Sequence, residues 1–183
     1  DYVEVLAKPY YRAAASWYGT VRIGITGGEM YELVEQVLPK AEFSWTLNPG
    51  HLTADEEWMS SPIYSGSDIT LKSGMMLQMD IIPGKAGYGG AGAEDGIVLA
   101  DETLRKKIQS DYPETWKRFE RRRRFMKEEL GITLEPEVLP MSDIAGYMRP
   151  YLLNRGCAFK IAGSQTEQIA EEREVGGQAV FRK

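Results

Sequence analysis

Two short apolar segments, joined by a glycine-rich stretch, place the strongest constraint on how this chain can fold. Residues 75–82 and 96–100 carry large apolar side chains at alternate positions, a period that is typical of β-strands. The residues between them, mostly 84–92, are rich in glycine, and this composition marks a loop. A parallel pair would need a crossover of about a dozen or more residues, usually a helix. We therefore predict that the two strands are antiparallel neighbours.

Outside this pair, apolar residues mostly recur every three or four positions, which is the period of an amphipathic helix. Helices are predicted on this basis over residues 9–23, 30–38, 102–109, 112–130 and 142–153. Shorter runs predict further strands at residues 43–47 and 157–161. The sequence therefore predicts an α+β fold, with helices beside a mainly antiparallel sheet.

Composition and charge narrow the classes of function. With 22 Lys and Arg against 27 Asp and Glu, the net charge of -5 gives no basic footprint for nucleic acid. No apolar run reaches the roughly 18 residues that a membrane-spanning helix needs. The single cysteine, Cys157, excludes an internal disulfide and suits a reducing compartment. We therefore expect a cytoplasmic protein that binds neither nucleic acid nor membrane.

One basic cluster stands out in this acidic chain. Arg121–Arg124 fall in a predicted helix beside several glutamates, a pattern that is typical of a solvated helix face. A contact with phosphate or RNA is the alternative, and a salt titration of nucleic-acid binding would test it.

Three side chains are candidates for chemistry. His51 is the only histidine, which excludes a site built from two histidines of this chain. Asp80 interrupts an otherwise apolar strand, and Glu94 precedes Asp95 at the start of the next one. A carboxylate in an apolar strand is unfavourable unless a metal, an arginine or backbone hydrogen bonds compensate its charge. Strand alternation also places Gln78 on the same face as Asp80.

The motifs around these residues resemble those of the creatinase, aminopeptidase P and methionine aminopeptidase family, whose fold is called pita bread. The similar segments are Leu47–His51, Ser73–Gly84 and Gly92–Leu99. The first of them, together with Glu57–Ile63, is most similar to a divergent bacterial branch of Xaa-Pro dipeptidases. The resemblance extends over roughly residues 9–162.

The resemblance implies a pita-bread fold, with residues 1–163 as part of a metallopeptidase-like domain and residues 164–183 as a polar tail. It implies that His51, Asp80 and Glu94 ligate a divalent metal (Mn, Co or Zn), which activates water to hydrolyse a peptide bond. The catalytic positions of the family fall on His51 and Trp58. A peptide or other small-molecule substrate and a homodimer are further expectations.

The chain departs from the family pattern at three points. The family has a pair of aspartate ligands upstream of the histidine, whereas Asp1 is the sole aspartate before His51. We therefore expect a piece of a longer protein, truncated at its amino terminus. Asp80 stands in place of a glutamate, and Trp58 replaces a second histidine, although tryptophan cannot carry a proton back and forth. The alternative function is an inactive pita-bread scaffold that binds a peptide, a small molecule or a protein partner.

Overall fold

The computed structural model describes residues 1–53, 61–162 and 169–172. The helices are α1 (Lys8–Thr20), α2 (Gly27–Val37), α3 (Lys40–Phe43), α4 (Glu102–Asp111) and α5 (Pro113–Arg124). A π-helical segment, Val3–Ala7, precedes α1, and another, Phe125–Glu129, continues α5. The strands are β1 (His51–Leu52), β2 (Met76–Met79), β3 (Asp95–Leu99), β4 (Val138–Pro140), β5 (Phe159–Ala162) and β6 (Ile169–Glu172).

An antiparallel sheet with the strand order β1-β2-β3-β4 forms the centre of the fold. Strands β2 and β3 are the predicted antiparallel pair, with Met76 opposite Val98 and Met79 opposite Asp95. The side chains of this pair that are buried in the core are Leu77, Met79, Ile97 and Leu99. Strands β5 and β6 form a separate antiparallel pair. The predicted α+β architecture with antiparallel strands is confirmed.

Helix α1 lies in the core, where it contacts α2 and β2. Four of its aromatic side chains are fully buried, namely Tyr10, Tyr11, Trp17 and Tyr18. Burying a large apolar side chain stabilises a fold by about 1.5–3 kcal/mol. Trp17 also donates a hydrogen bond from Nε1 to the carbonyl oxygen of Pro49, at 2.8 Å. Helix α1 therefore holds the segment that leads into β1.

Helix α1 ends at Thr20, three residues before the predicted end at residue 23, whereas the later helices end close to the predicted stops. Helix α2 begins at a capping box in which Thr26 and Glu29 each accept a hydrogen bond from the other's backbone N–H. It ends before Pro39, and α5 begins at Pro113, so that only Tyr112 lies between α4 and α5. The helical chain that follows α5 ends before Gly131. None of the helices in the described ranges is long and apolar enough to cross a membrane.

The strand predicted at residues 43–47 is not formed. Phe43 instead ends the short helix α3, and Ser44 after it adopts a left-handed conformation. Thr46 makes an isolated bridge to Ile82. The alternation of apolar and polar residues here arises because Phe43 and Trp45 both enter the core from a helix end and a turn.

The helix predicted over residues 142–153 is also wrong, because this segment forms a series of turns. At least one backbone group of this segment is hydrogen-bonded to a strand, and not within a helical turn. The carbonyl oxygen of Met148 accepts a hydrogen bond from the N–H of Phe159 in β5. Pro150 has no N–H to donate, so it cannot complete a helical turn.

The basic run at the end of α5 contacts other parts of the chain. Arg121 and Arg122 both bind the carboxylate of Asp143, at 3.0 and 2.7 Å. Hydrogen bonds from Arg122 and then Arg121 lower the pKa of Asp143. Arg123 donates to the carbonyl oxygens of Glu135 and Val138. Arg121 and Arg122 therefore hold the turns of residues 141–156 through Asp143, and Arg123 holds the chain that leads into β4.

Candidate metal centre

His51 is positioned by contacts on both sides of it. Ser61 donates from Oγ to the carbonyl oxygen of Gly50, at 2.7 Å, and His51 pairs with Gln78 in the register of β1 and β2. The residue is only 5% exposed. The imidazole is therefore fixed against the sheet.

Asp80 and Glu94 lie where β2 and β3 separate. Met79 is opposite Asp95, so the next positions outward along the two strands are Asp80 and Glu94. The sequence predicts Asp80 inside a strand, whereas the structure places it directly after β2. The register of the pair, and not the loop that joins it, brings the two carboxylates together.

The three predicted ligands share one face of the sheet. His51 is opposite Gln78, and Asp80 lies two positions beyond Gln78, so its side chain points to the same face. One imidazole nitrogen of His51 and one oxygen from each carboxylate of Asp80 and Glu94 all lie within 4.8 Å of one another. The structure thus brings the three residues to one point.

The His51 ring is oriented so that Nε2 faces Asp80. Its Nδ1 lies 2.9 Å from the carbonyl oxygen of Leu52, which can only accept, so Nδ1 carries a proton. In the neutral ring, Nε2 then presents a lone pair 3.7 Å from Oδ2 of Asp80. Two acceptor atoms so placed repel each other unless a proton or a cation lies between them, and this distance is long for a hydrogen bond.

A divalent cation fits this arrangement. Metal–ligand distances are about 2.0–2.6 Å for nitrogen and oxygen ligands, so atoms up to about 4–5 Å apart can bind one ion. An imidazole whose other nitrogen donates to a backbone carbonyl is the usual form of a metal-binding histidine. The donor set of His51, Asp80 and Glu94 therefore suits a divalent metal.

Gln78 holds Glu94 in place. Its Nε2 donates to Oε1 of Glu94, and its Oε1 accepts from Oγ1 of Thr53, at 3.4 Å. The sequence places Gln78 on the face of Asp80 but gives it no role. The feature that could have indicated a role for Gln78 at the site is its polar side chain, because strand alternation places it on the same face of the sheet as Asp80.

Tyr10 supports the backbone beside Glu94, a role that the sequence pattern alone does not predict. Its hydroxyl oxygen accepts a hydrogen bond from the N–H of Ala93, at 2.8 Å. Burial raises the pKa of Tyr10; the N–H of Ala93 lowers it, and the charges of Asp80 and Glu94 raise it further, so the net shift is upward. The hydroxyl therefore stays protonated at neutral pH. The signal that could have identified it is a tyrosine on a buried helix face, because a buried tyrosine hydroxyl usually has a hydrogen-bond partner.

A cleft of about 410 Å³ adjoins the three ligands through Glu94. We call it the Glu94 cleft; it is lined by residues 92–94 and by Ile144, Tyr147, Met148, Arg149 and Leu152. Ser142 donates from Oγ to the carboxylate of Asp95, which ties the turns to β3. The apolar pattern of residues 142–153 predicts a helix, so it gives no sign that this segment lines a cleft.

Trp58, the other predicted catalytic residue, lies outside the described residues. Its place relative to His51 stays a prediction.

Comparisons with known proteins found similarity only to solved structures. The chain matches no protein-family profile and no curated protein. Solved structures that resemble it are a dipeptidase of Pyrococcus horikoshii OT3 (24% identity, TM-score 0.43), dipeptidase PepE of Mycobacterium ulcerans (22%, 0.42) and an Xaa-Pro dipeptidase of Bacillus anthracis (20%, 0.40).

The extent of these alignments is limited. They cover 52%, 50% and 52% of this chain, in the same order. The chain spans about a quarter of each dipeptidase, namely 27%, 25% and 28% of its length.

Proposed function

We propose that this chain carries the metal site of a peptidase-like hydrolase, in which His51, Asp80 and Glu94 bind a divalent cation. One observation carries the proposal: these residues, from separate segments, bring their ligand atoms within 4.8 Å of one another. An imidazole with two carboxylates suits Mn, Co and Zn. The motifs around them, which resemble those of Xaa-Pro dipeptidases, support hydrolysis of a peptide bond.

The surrounding residues prepare the site for this chemistry. A bound divalent cation supplies Lewis acidity, which polarises a substrate carbonyl and makes water more acidic. The Leu52 carbonyl orients the His51 ring, and Gln78 fixes Glu94, which are the usual tasks of residues that contact metal ligands. The Asp80 side chain is only 12% exposed, and charges interact more strongly there than in water.

Equilibrium dialysis against Mn²⁺ and Zn²⁺ tests the site directly. We expect the chain to bind one of these ions, and Asp80→Asn or Glu94→Gln to weaken binding at least tenfold, since loss of even an outer partner of a ligand costs about 10–100-fold. Glu120→Gln, which removes an exposed carboxylate on α5, is the matched control and leaves affinity unchanged.

Hydrolysis of an Xaa-Pro dipeptide by the same metal-loaded preparations tests the reaction. The proposal expects turnover that is lost in Asp80→Asn and kept in Glu120→Gln. If the chain binds no metal, or binds it equally well without Asp80 and Glu94, the metal site is wrong. If it binds metal and no peptide bond is cleaved, the hydrolase assignment fails.

An inactive scaffold is the second candidate, and one observation favours it. His51 is the only histidine of the sequence, so the chain offers no second imidazole to carry protons. If the chain is such a scaffold, the His51→Ala variant loses only its affinity for metal and still binds a peptide ligand. The homodimer and the cytoplasmic location stay predictions, which size-exclusion chromatography with light scattering and cell fractionation would test.

A further inference from the structure

Four large apolar side chains of the turns at residues 141–156 lie on the surface of the molecule. Leu152 and Leu153 are 80% and 93% exposed, and Tyr151 and Ile144 are 47% and 63% exposed. Ile144 and Leu152 line the same cleft, so these side chains belong to one patch, which we call the apolar patch. Single exposed apolar residues are common in soluble proteins, whereas a contiguous patch marks a contact with another molecule or a membrane.

The base of the apolar patch is fixed to the core. Met148 and Cys157, which lie before and after its leucines in sequence, are 5% and 6% exposed. The carbonyl oxygen of Met148 accepts a hydrogen bond from the N–H of Phe159, at 2.9 Å. Between them, the N–H of Asn154 donates to the carbonyl oxygen of Tyr151, at 3.2 Å, which closes a turn. The two leucines therefore project from a short turn whose ends are buried.

The segment that carries the apolar patch is basic, although the net charge of the chain is -5. Residues 144–156 contain two arginines and no aspartate or glutamate. Arg149, before the two leucines, is half-buried, and Arg155, after them, is exposed. Long side chains of this kind cover apolar surface with their methylene groups and keep the charge at the boundary with water. Positive charge therefore flanks the leucines on both sides in sequence.

Two acidic side chains near this segment do not outweigh its charge. Asp143, directly before it, binds Arg121 and Arg122 on α5. Glu94, which lines the adjoining cleft, accepts a hydrogen bond from Gln78. Four arginines therefore accompany two carboxylates here, and the local charge is positive. The apolar patch and its surroundings together suit a partner that is apolar inside and anionic at its surface.

We propose that the apolar patch docks this protein on the surface of an anionic phospholipid bilayer. Leucine side chains at the tip of a turn can enter the boundary between headgroups and acyl chains. Tyrosine is enriched at that boundary, where Tyr151 would lie, and guanidinium groups bind lipid phosphates. The observed combination of leucines, a tyrosine and flanking arginines matches these three layers of the membrane surface.

The shape of the apolar patch favours a bilayer over a protein partner. A leucine that is 93% exposed projects away from the protein, so a protein partner would need a matching pocket. A fluid bilayer accommodates a projecting side chain without one. Its anionic headgroups also attract basic segments, by about fivefold in affinity for each arginine near the surface.

This inference replaces the expectation of no membrane contact with surface docking. That expectation comes from the lack of an apolar run long enough to span a bilayer, which a protein that binds at the membrane surface does not need. The inference goes beyond the proposed hydrolase, because it uses none of the metal ligands and concerns where the protein acts.

Co-sedimentation with lipid vesicles tests the docking. One set of vesicles is phosphatidylcholine alone, and the other contains about a third phosphatidylglycerol, which is anionic. EDTA is present throughout, so that no divalent cation bridges the protein to the lipid. We expect the intact chain to bind the anionic vesicles about tenfold or more tightly than the neutral ones. High salt should reduce this preference, because it screens exposed charges.

Two double variants separate the apolar contribution from the charge. Leu152→Ser with Leu153→Ser should weaken binding to anionic vesicles about tenfold or more, since burial of one leucine accounts for an effect of this size. Arg149→Gln with Arg155→Gln should remove most of the preference for anionic over neutral vesicles. Circular dichroism establishes that each variant is folded.

Matched controls change similar side chains outside the apolar patch. Ile69→Ser with Ile82→Ser replaces two aliphatic residues that are 39% and 44% exposed. Lys106→Gln removes a basic side chain of α4 that is 71% exposed. Both control variants should bind the anionic vesicles as tightly as the unmodified chain.

Three results overturn the inference. The first is no binding of the intact chain to anionic vesicles, and the second is binding that survives replacement of both leucines. The third is self-association of the chain, measured by light scattering, that depends on the two leucines in the absence of vesicle binding, since the apolar patch is then a protein contact. None of these results depends on metal binding, so they leave the test of the hydrolase separate.

Discussion

Tyr10 and Tyr11 are neighbours in α1 and both are fully buried, yet their hydroxyls have different surroundings. The Tyr10 hydroxyl accepts a hydrogen bond from Ala93, the residue before Glu94. The Tyr11 hydroxyl has no hydrogen-bond partner among the described residues, although its ring stacks on Phe159 with the centroids 5.2 Å apart. A hydrogen bond to a buried group stabilises a fold, whereas a buried polar atom without a partner destabilises it. We therefore expect removal of the Tyr10 hydroxyl and removal of the Tyr11 hydroxyl to change the stability of the fold differently.

We expect Tyr10→Phe to lower the free energy of unfolding by about 1–3 kcal/mol, because the N–H of Ala93 loses its partner. The variant should also weaken Mn²⁺ or Zn²⁺ binding, since Ala93 positions Glu94. Tyr11→Phe is the matched control and should be neutral or slightly stabilising. Urea denaturation and equilibrium dialysis measure the two effects. Equal losses of stability and metal affinity in both variants would contradict the role given to Tyr10.

At the scale of elements, the strand pair β2–β3 shows how much the sequence could predict. Alternation identified both strands and the common face of Gln78 and Asp80, and the short glycine-rich connection required antiparallel pairing. These features are local, so they can be read from one sequence. Placing His51 beside Asp80 needs the pairing of β1 with β2, which is a long-range contact. The resemblance of motifs predicted that convergence, and periodicity alone did not.

Elements whose backbone bonds to distant residues were predicted poorly. The segment of residues 142–153 has the apolar content of a helix, but Met148 bonds to β5 and Ser142 bonds to Asp95. These partners lie outside any local window of sequence. Tertiary contacts therefore override helix propensity here, and the Glu94 cleft could not be predicted without them.

The junction between the helical end after α5 and strand β5 gives a test of this packing. Gly131 has φ +71°, and a Cβ at this position would overlap the carbonyl oxygen of Ile161. Gly24 has φ +93°, but a Cβ there would meet nothing within 4 Å. A left-handed alanine costs about 1–2 kcal/mol, and overpacking against fixed atoms costs about 1–3 kcal/mol more.

Gly131→Ala should therefore lower the free energy of unfolding by about 2–5 kcal/mol, and Gly24→Ala by only about 1–2 kcal/mol. Urea denaturation of the two variants measures the difference. Similar losses in both would show that β5 does not pack against this helix end as described.

At the scale of the whole molecule, buried tyrosines make stability depend on alkaline pH. Burial raises the pKa of Tyr10, Tyr11 and Tyr18 above the ordinary value of 10.0. Below that pH, the folded and unfolded states both keep these protons. Above it, the unfolded state releases protons that the folded state retains, so the free energy of unfolding falls as pH rises. Each such tyrosine contributes up to about 1.4 kcal/mol per pH unit.

Tyr11→Phe tests this dependence, because burial alone raises the pKa of Tyr11. We expect the free energy of unfolding, measured in urea at several pH values above 10, to fall less steeply in this variant, by about 1.4 kcal/mol per pH unit. Near pH 8 the dependence on pH should be the same as in the unmodified chain. An unchanged slope above pH 10 would contradict the deep burial of this hydroxyl.

The ladder of β2 and β3 fixes the separation of Asp80 and Glu94, whereas the glycine-rich connection joins the strands without setting it. Several glycines between residues 87 and 92 border open space, and Gly92 reaches the rim of the Glu94 cleft. The length and composition of this loop can therefore change in evolution while the relative positions of Asp80 and Glu94 are kept. If His51, Asp80 and Glu94 bind a metal as we propose, the rim of the Glu94 cleft can change without disturbing the metal-binding geometry.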